Sequence, residues 1–235
     1  FQPLYLEEFG ASPVTIGTIL GIIGISMTIS HFPAGYLSDR IDPRYLLWGA
    51  WILGTAAGLV MVVANSFQAY VVGAALYGIS AFVIAPLSTY ITIARRKLSV
   101  GRALTLISAA FNAGAVIGPS IGGWIAQAYS IRMIFTFSLI CFVLSTILII
   151  PLKGQPIPAR ASSQRLESSR LKLVGATFLV VFFVMFAMYL PYPLAANYLK
   201  NYHQITYQQI GQLGSVLSLG TVVMNLLFGF MSPMM

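Results

Sequence analysis

YLLWGAWILGTAAGLVMVVA, residues 45–64, contains no charged side chain and no proline. At 1.5 Å per residue, a helix of this length spans about 30 Å, the thickness of a bilayer's hydrocarbon core. The stretch is too long for a strand and lacks the period-two alternation of a membrane strand. Six more runs of the same kind surround it, at 14–37, 68–94, 103–128, 133–151, 171–196 and 207–231. The whole chain follows suit: 58% of its 235 residues are hydrophobic and 8% are charged, against about 25% charged in a soluble domain. Its mean hydropathy is +0.86. This composition excludes a soluble enzyme and a disordered chain, and a lone cysteine, Cys141, excludes a disulfide scaffold. The fold class is an all-α polytopic membrane protein with about seven transmembrane helices. The start at Phe1 and the stop at Met235, at the end of an apolar run, fit an internal piece of a longer protein. Residues 1–6 then read as the tail of an earlier helix.

The charges fall between the runs. Arg40 and Arg44 follow the first run, Arg95, Arg96, Lys97 and Arg102 the third, and Lys153, Arg160, Arg165, Arg170 and Lys172 the fifth. These alternate loops hold eleven of the thirteen basic residues; Arg132 and Lys200 lie in the others. The positive-inside rule puts the eleven in the cytoplasm. The formal net charge of +8 therefore reports topology, and no nucleic-acid partner is expected. The segment 152–170, LKGQPIPARASSQRLESSR, is polar and rich in Ser and Pro, a cytoplasmic linker. It divides the chain into 1–151, most of a first helical bundle, and 171–235, the start of a second. A weak repeat supports two halves. Ile16-Gly17 and Gly35-Tyr36-Leu37-Ser38 return as Ile210-Gly211 and Gly229-Phe230-Met231-Ser232, offset by 194, and Tyr5-Leu6 returns as Tyr198-Leu199, offset by 193.

Two stretches resemble the major facilitator superfamily. Gly35-Tyr36-Leu37-Ser38-Asp39-Arg40-Ile41-Asp42-Pro43-Arg44 is similar to its loop signature G-x-L-a-D-r-x-G-r-k, matching at Gly35, Leu37, Asp39, Arg40 and Arg44. It departs at Asp42, where the family has Gly, and at Pro43. Gly114-Ala115-Val116-Ile117-Gly118-Pro119-Ser120-Ile121-Gly122-Gly123 resembles the fifth-helix signature G-x-x-x-G-P-x-x-G-G of exporting antiporters at every specified position. The resemblance covers the whole chain and implies two six-helix bundles, of which this chain holds the end of the first helix to the eighth. It implies a gate at Gly35, Asp39, Arg40, Arg44 and Arg102, with Asp39 as a latch locking the cytoplasmic side. It implies that the first, third, fourth and sixth runs line a central cavity, with parts of the seventh, and that the second and fifth face lipid. Proton antiporters of the family often carry Arg at the position of Ala74, which argues against standard proton coupling here.

The residues themselves support part of this. Ala110, Gly114, Gly118, Gly122 and Ala126 form a small-residue stripe at a spacing of four, suited to close helix packing, and Pro119 permits a kink. The helix seam is expected at Gly114, Gly118, Pro119, Gly122 and Gly123, against a stripe of Gly211, Ser215, Ser218, Asn225 and Gly229. No charged residue lies well inside a run, so the cavity wall is expected to be neutral. Its candidate substrate-binding groups are Tyr77, Ser80, Ser108, Asn112, Tyr189, Tyr192 and Asn225; each equally suits interhelical hydrogen bonding. His31, the only histidine in a span, is either a protonation switch for coupling or a packing residue. No metal-ligand cluster or phosphate-binding glycine loop occurs, and no cofactor or enzyme activity is expected. The expected function is secondary transport by alternating access in a prokaryotic plasma membrane. Its partners are a small neutral or amphipathic organic substrate for efflux, the bilayer, and a proton or other coupling ion, with the protein a monomer. An importer of a sugar or similar nutrient, and a non-transporting receptor or scaffold, are the alternatives.

Overall fold

The structure is a computed structural model that describes residues 1–155 and 168–231, with side chains described for 1–155 and 174–224. Ten α-helices follow one another among these residues. They are α1 (Gln2–Glu8), α2 (Pro13–Ser38), α3 (Pro43–Val63), α4 (Phe67–Ser80), α5 (Ile84–Ala94), α6 (Val100–Ala128), α7 (Ile131–Ile149), α8 (Ser168–Tyr189), α9 (Tyr192–His203) and α10 (Tyr207–Met231). Helix is the form that satisfies every backbone polar group within one segment, which lipid demands. Six stretches are long and apolar enough to cross a membrane: α2, α3, Phe67–Ala94, α6, α7 and Val174–His203. The seventh expected run is helical too, as α10, but its first turns carry Gln208, Gln209 and Gln212.

Two of the expected spans are interrupted. A 3-10 turn at Ala81–Val83 separates α4 from α5. Pro86 lies in the first turn of α5, where its missing N–H is least costly. The run 171–196 breaks between α8 and α9, where Pro191 precedes α9.

Short polar residues cap the starts of α2, α3, α4 and α6. Ser12 Oγ accepts from the Thr15 N–H at 3.2 Å, Asp42 Oδ1 from Arg44 at 2.9 Å, Ser66 Oγ from Ala69 at 3.3 Å and Ser99 Oγ from Arg102 at 3.3 Å. Each caps backbone donors that the helix leaves free.

The spans run alternately up and down. Arg40, Arg44, Arg95, Arg96, Lys97 and Arg102 gather at one end, the basic end; the other is the far end. At the far end Tyr5, Phe9, Phe67, Tyr70 and Phe135 form an aromatic cluster, with ring centroids of Tyr5 and Tyr70 4.9 Å apart. Leu4, Ile16, Ile19 and Ala74 are buried in the same core. Ala74 is 1% exposed, so an Arg there would displace this packing.

Helices α3 and α7 pair through Thr55 and Thr146, whose hydroxyl oxygens lie 2.8 Å apart, and Phe142 sits over Gly54. At the far end Arg132 forks over the last turn of α3. It donates to the Val62 carbonyl at 3.1 and 2.7 Å and to Asn65 Oδ1 at 3.3 Å. These carbonyls have no partner within their own helix. Arg132→Ala is expected to cost about 1 kcal/mol, read as a lower melting temperature. Arg132→Lys should recover only part, because an ammonium lacks the planar fork.

At the basic end the chain after α7 is fastened to the bundle. The Trp48 indole N–H donates to the Ile149 carbonyl at 3.1 Å, the Tyr90 hydroxyl to the Lys153 carbonyl at 2.9 Å, and the Gln155 N–H to Asp42 Oδ2 at 3.1 Å. Residues 156–167, the rest of the expected linker before α8, lie outside the described residues.

Candidate functional site

Helices α1, α2, α6, α9 and α10 meet around a crevice of about 630 Å³, a volume suited to a small organic molecule. Its wall includes Gln2, Pro3, Leu20, Gly118, Pro119, Gly122, Tyr192, Leu199, Gly214 and Ser218. The wall is mostly apolar, with Gln2, Tyr192 and Ser218 as its uncharged polar side chains. It draws on helices from both sides of residues 156–167.

Helices α6 and α10 form one flank and pack antiparallel. A Cβ at Gly123 would lie 2.6 Å from the Tyr207 carbonyl oxygen and 3.1 Å from the Cα atoms of Gln208 and Gly211. A Cβ at Gly211 would overlap the Pro119 carbonyl oxygen. Ser120 and Ser215 cross the contact: the Ser120 N–H donates to Ser215 Oγ at 3.1 Å, and the two hydroxyl oxygens are 2.7 Å apart.

The contact differs from the expected stripe. At Gly114 and Gly118 a Cβ would meet nothing within 4 Å. The row facing α10 is Pro119, Ser120 and Gly123. One residue along a helix is a turn of about 100°, so the row of Gly114, Gly118 and Gly122 faces away from the seam. Gly118 and Gly122 line the crevice instead. Their lack of side chains leaves volume there.

Of the candidate substrate-binding residues whose side chains are described, only Tyr192 lines this crevice. Tyr189 stands beside it, ring centroids 5.9 Å apart. Tyr77 packs edge-on against Phe142 of α7 at 5.7 Å and lines a different cavity, of about 240 Å³. Ser80 is buried and donates to the Tyr77 carbonyl at 2.7 Å, within its own helix end. Ser108 is exposed and Asn112 half-buried on α6, away from the crevice wall. Asn225 lies on α10, and its side chain is outside the described residues.

His31 Nδ1 is 2.7 Å from the Met27 carbonyl oxygen, one turn back on α2. A carbonyl only accepts, so Nδ1 carries the proton and the ring is engaged with its own helix. That contact holds the ring against its own helix through one nitrogen. His203 closes α9.

In the loop after α2, Asp39 terminates the helix, exposed, with no hydrogen-bond or ion-pair partner among the described residues. Both neighbouring arginines are engaged elsewhere. The Arg40 guanidinium lies 3.7 Å over the Tyr36 ring, and Arg44 Nε is 3.7 Å from Asp42 Oδ2. Gly35 has open space around it, and the Arg102 side chain is exposed. Asp42, where the chain departs from the signature, is the carboxylate that makes contacts.

The spacing of residues did not point to the polar cluster at the far end. Glu7 of α1 accepts from Asn197 and Asn201 of α9, and Glu8 accepts from the Tyr207 hydroxyl. The available signal was the pairing of Tyr5-Leu6 with Tyr198-Leu199, which put both segments at equivalent places in a repeat.

The family model for the Major Facilitator Superfamily matches residues 1–176. An MFS-type transporter of Methanocaldococcus jannaschii is 30% identical over 139 residues, which is 57% of this chain and 35% of that protein. The quinolone resistance protein NorA of Staphylococcus aureus is 27% identical over 153 residues, 63% of this chain and 39% of NorA. The matched part of the chain thus spans less than two fifths of either relative. Among solved structures, a mutant of the nucleoside transporter NupG aligns with a TM-score of 0.68 at 10% identity, covering 90% of this chain and 57% of that one. A mutant of the peptide transporter POT aligns at 0.54 and 18% identity, covering 74% and 37%. These two show the likeness of fold. With helices throughout, six apolar spans and a family match over three quarters of its length, the chain belongs to the Major Facilitator Superfamily.

Proposed function

We propose that the protein is a secondary transporter that works by alternating access and exports a small neutral or amphipathic organic molecule. The observation that supports this most is the crevice, which is mostly apolar, free of charged lining residues, and shared between helices of the two repeat halves. A site where two repeats meet can be exposed to either side by rocking one against the other. The sequence likeness to NorA, whose name is for quinolone resistance, supports an efflux substrate of amphipathic character. On this reading the basic end is cytoplasmic, 152–170 is the linker between the two bundles, and the protein sits in a prokaryotic plasma membrane. The protein works as a monomer. A proton or another ion couples transport, with His31 as the titratable group within the described spans that could carry a proton.

The test is flux. Purified protein in liposomes is expected to move a fluorescent quinolone down its gradient and to accelerate exchange when quinolone is present on both sides. Ser218→Trp, which fills the crevice, should reduce that flux at least about tenfold while leaving the protein folded. Failure to move a quinolone, a nucleoside or a dipeptide under proton or sodium gradients would sink the proposal and leave a receptor or scaffold.

A further inference from the structure

We infer that a groove between α2, α3 and the 3-10 turn holds one acyl chain of an anionic phospholipid, with Arg40 binding the headgroup phosphate. The groove has a volume of about 430 Å³. Ser26, Ile29, Pro33 and Leu37 of α2 form one wall, Leu46 of α3 the other, and Phe82 of the 3-10 turn the floor. Its polar side chains are Ser26 and Ser30. Both hydroxyls are spent within α2: Ser26 Oγ donates to the Ile22 carbonyl at 2.9 Å, and Ser30 Oγ to the Met27 carbonyl at 2.6 Å. The walls therefore offer dispersion contacts and little hydrogen bonding, which suits a hydrocarbon chain.

Position and length select lipid as the occupant. At about 100° per residue, Ser26, Ser30, Pro33 and Leu37 share one face of α2. Leu20, which lines the crevice, and Gly24, Thr28 and His31 fall on the other side. The groove thus opens away from the crevice. Its wall runs from Ser26 to Leu37, eleven residues along α2. At 1.5 Å per residue this is about 16 Å, half of a hydrocarbon core of about 30 Å. That is the depth of one leaflet.

The open end of the groove meets a headgroup site. The Arg40 N–H donates to the Leu37 carbonyl at 2.9 Å, so Arg40 stands one turn from the last groove residue. Its guanidinium lies 3.7 Å over the exposed Tyr36 ring and has no carboxylate partner among the described residues. A guanidinium seated on a ring face keeps its edge N–H groups for a phosphate. Arg44, by contrast, is taken up by Asp42. Tyr36, Tyr45 and Trp48 mark the level of the headgroups at this end. Arg95, Arg96, Lys97 and Arg102 add positive potential that favours anionic over zwitterionic lipid.

The experiment counts bound lipid. Native mass spectrometry is run on the purified protein with phosphatidylglycerol or phosphatidylcholine of identical chains. One tightly held phosphatidylglycerol is expected, with phosphatidylcholine at least about fivefold weaker. Arg40→Gln should weaken phosphatidylglycerol about fivefold and narrow the gap between the two lipids. Ser26→Trp, and Ile29→Trp at a more exposed position, fill the groove. Each should weaken both lipids at least about tenfold at an unchanged melting temperature. Glycerol phosphate should not compete, because it has no chain for the groove. Equal retention of the two headgroups by the wild type, or wild-type retention in the tryptophan variants, overturns the inference. So does a dimer that the tryptophan variants dissociate, since a second copy would then fill the groove. None of these readouts depends on flux, so they stand apart from the transport reading.

Discussion

Gly123→Leu is expected to insert into the membrane and to transport at less than about one hundredth of the wild-type rate. At Gly123 the first atom of any side chain would come within 2.6 Å of a backbone carbonyl, that of Tyr207, and 3.1 Å from the Gly211 Cα. Backbone cannot turn aside as a flexible side chain can, so α6 and α10 must separate. Overpacking of this kind typically costs about 1–3 kcal/mol where the neighbours are side chains, and here they are main chain on both helices. Separation also breaks the Ser120–Ser215 hydrogen bonds and distorts the crevice flank formed by Pro119 and Gly214. Leu favours insertion, so the loss should not come from failure to enter the bilayer. Gly211→Leu should behave alike because of the Pro119 carbonyl. Gly118→Leu is the control: its Cβ would meet nothing within 4 Å, so it should keep the seam and the melting temperature, and lose activity only by narrowing the crevice. Melting and flux measured on all three variants decide it. Equal melting temperatures for Gly123→Leu and Gly118→Leu would remove the case for the seam.

Run length and composition made the membrane class legible, because lipid leaves helix as the only local way to satisfy the backbone. Rotation about each helix axis was not legible. The stripe of Gly114, Gly118 and Gly122 and the row of Pro119 and Gly123 are neighbours on α6, and both are small. Composition shows that a close approach exists but not which row makes it. Tyr77 shows the same limit: α4 is apolar on all sides, so no polar face marks its side toward the cavity, and the ring ends against Phe142 of α7. The helix breaks were half legible. Pro191 announced one, whereas Pro86 reads as an ordinary membrane-helix proline until the 3-10 turn before it is seen. The far-end cluster was hidden because Glu7, Asn197 and Asn201 are unremarkable loop-edge residues one at a time. The pairing of Tyr5-Leu6 with Tyr198-Leu199 put their two segments at equivalent places without showing that the side chains meet.

Asp39→Asn is expected to leave insertion and stability intact and to cut transport about fivefold. In the present conformation the far end is tied and Asp39 is an exposed carboxylate at the C-terminus of α2, with both neighbouring arginines engaged by Tyr36 and Asp42. The negative end of the helix dipole disfavours a carboxylate there by about 0.3–1 kcal/mol. The charge therefore slightly destabilises this conformation. If the opposite conformation gives it a cationic or helix-N-terminal partner, as the proposed gate requires, the charge favours that state by about 1 kcal/mol more even at a screened surface. Asn is close in size and removes the charge; the dipole acts on residue 39 in either conformation, so what is lost is the partner's pull of about 1 kcal/mol, a shift of about fivefold toward the present conformation. A transporter that must visit both states then stalls in one. Asp39→Glu keeps the charge and should retain most activity, which separates charge from shape. Wild-type turnover in Asp39→Asn would make Asp39 an ordinary loop residue.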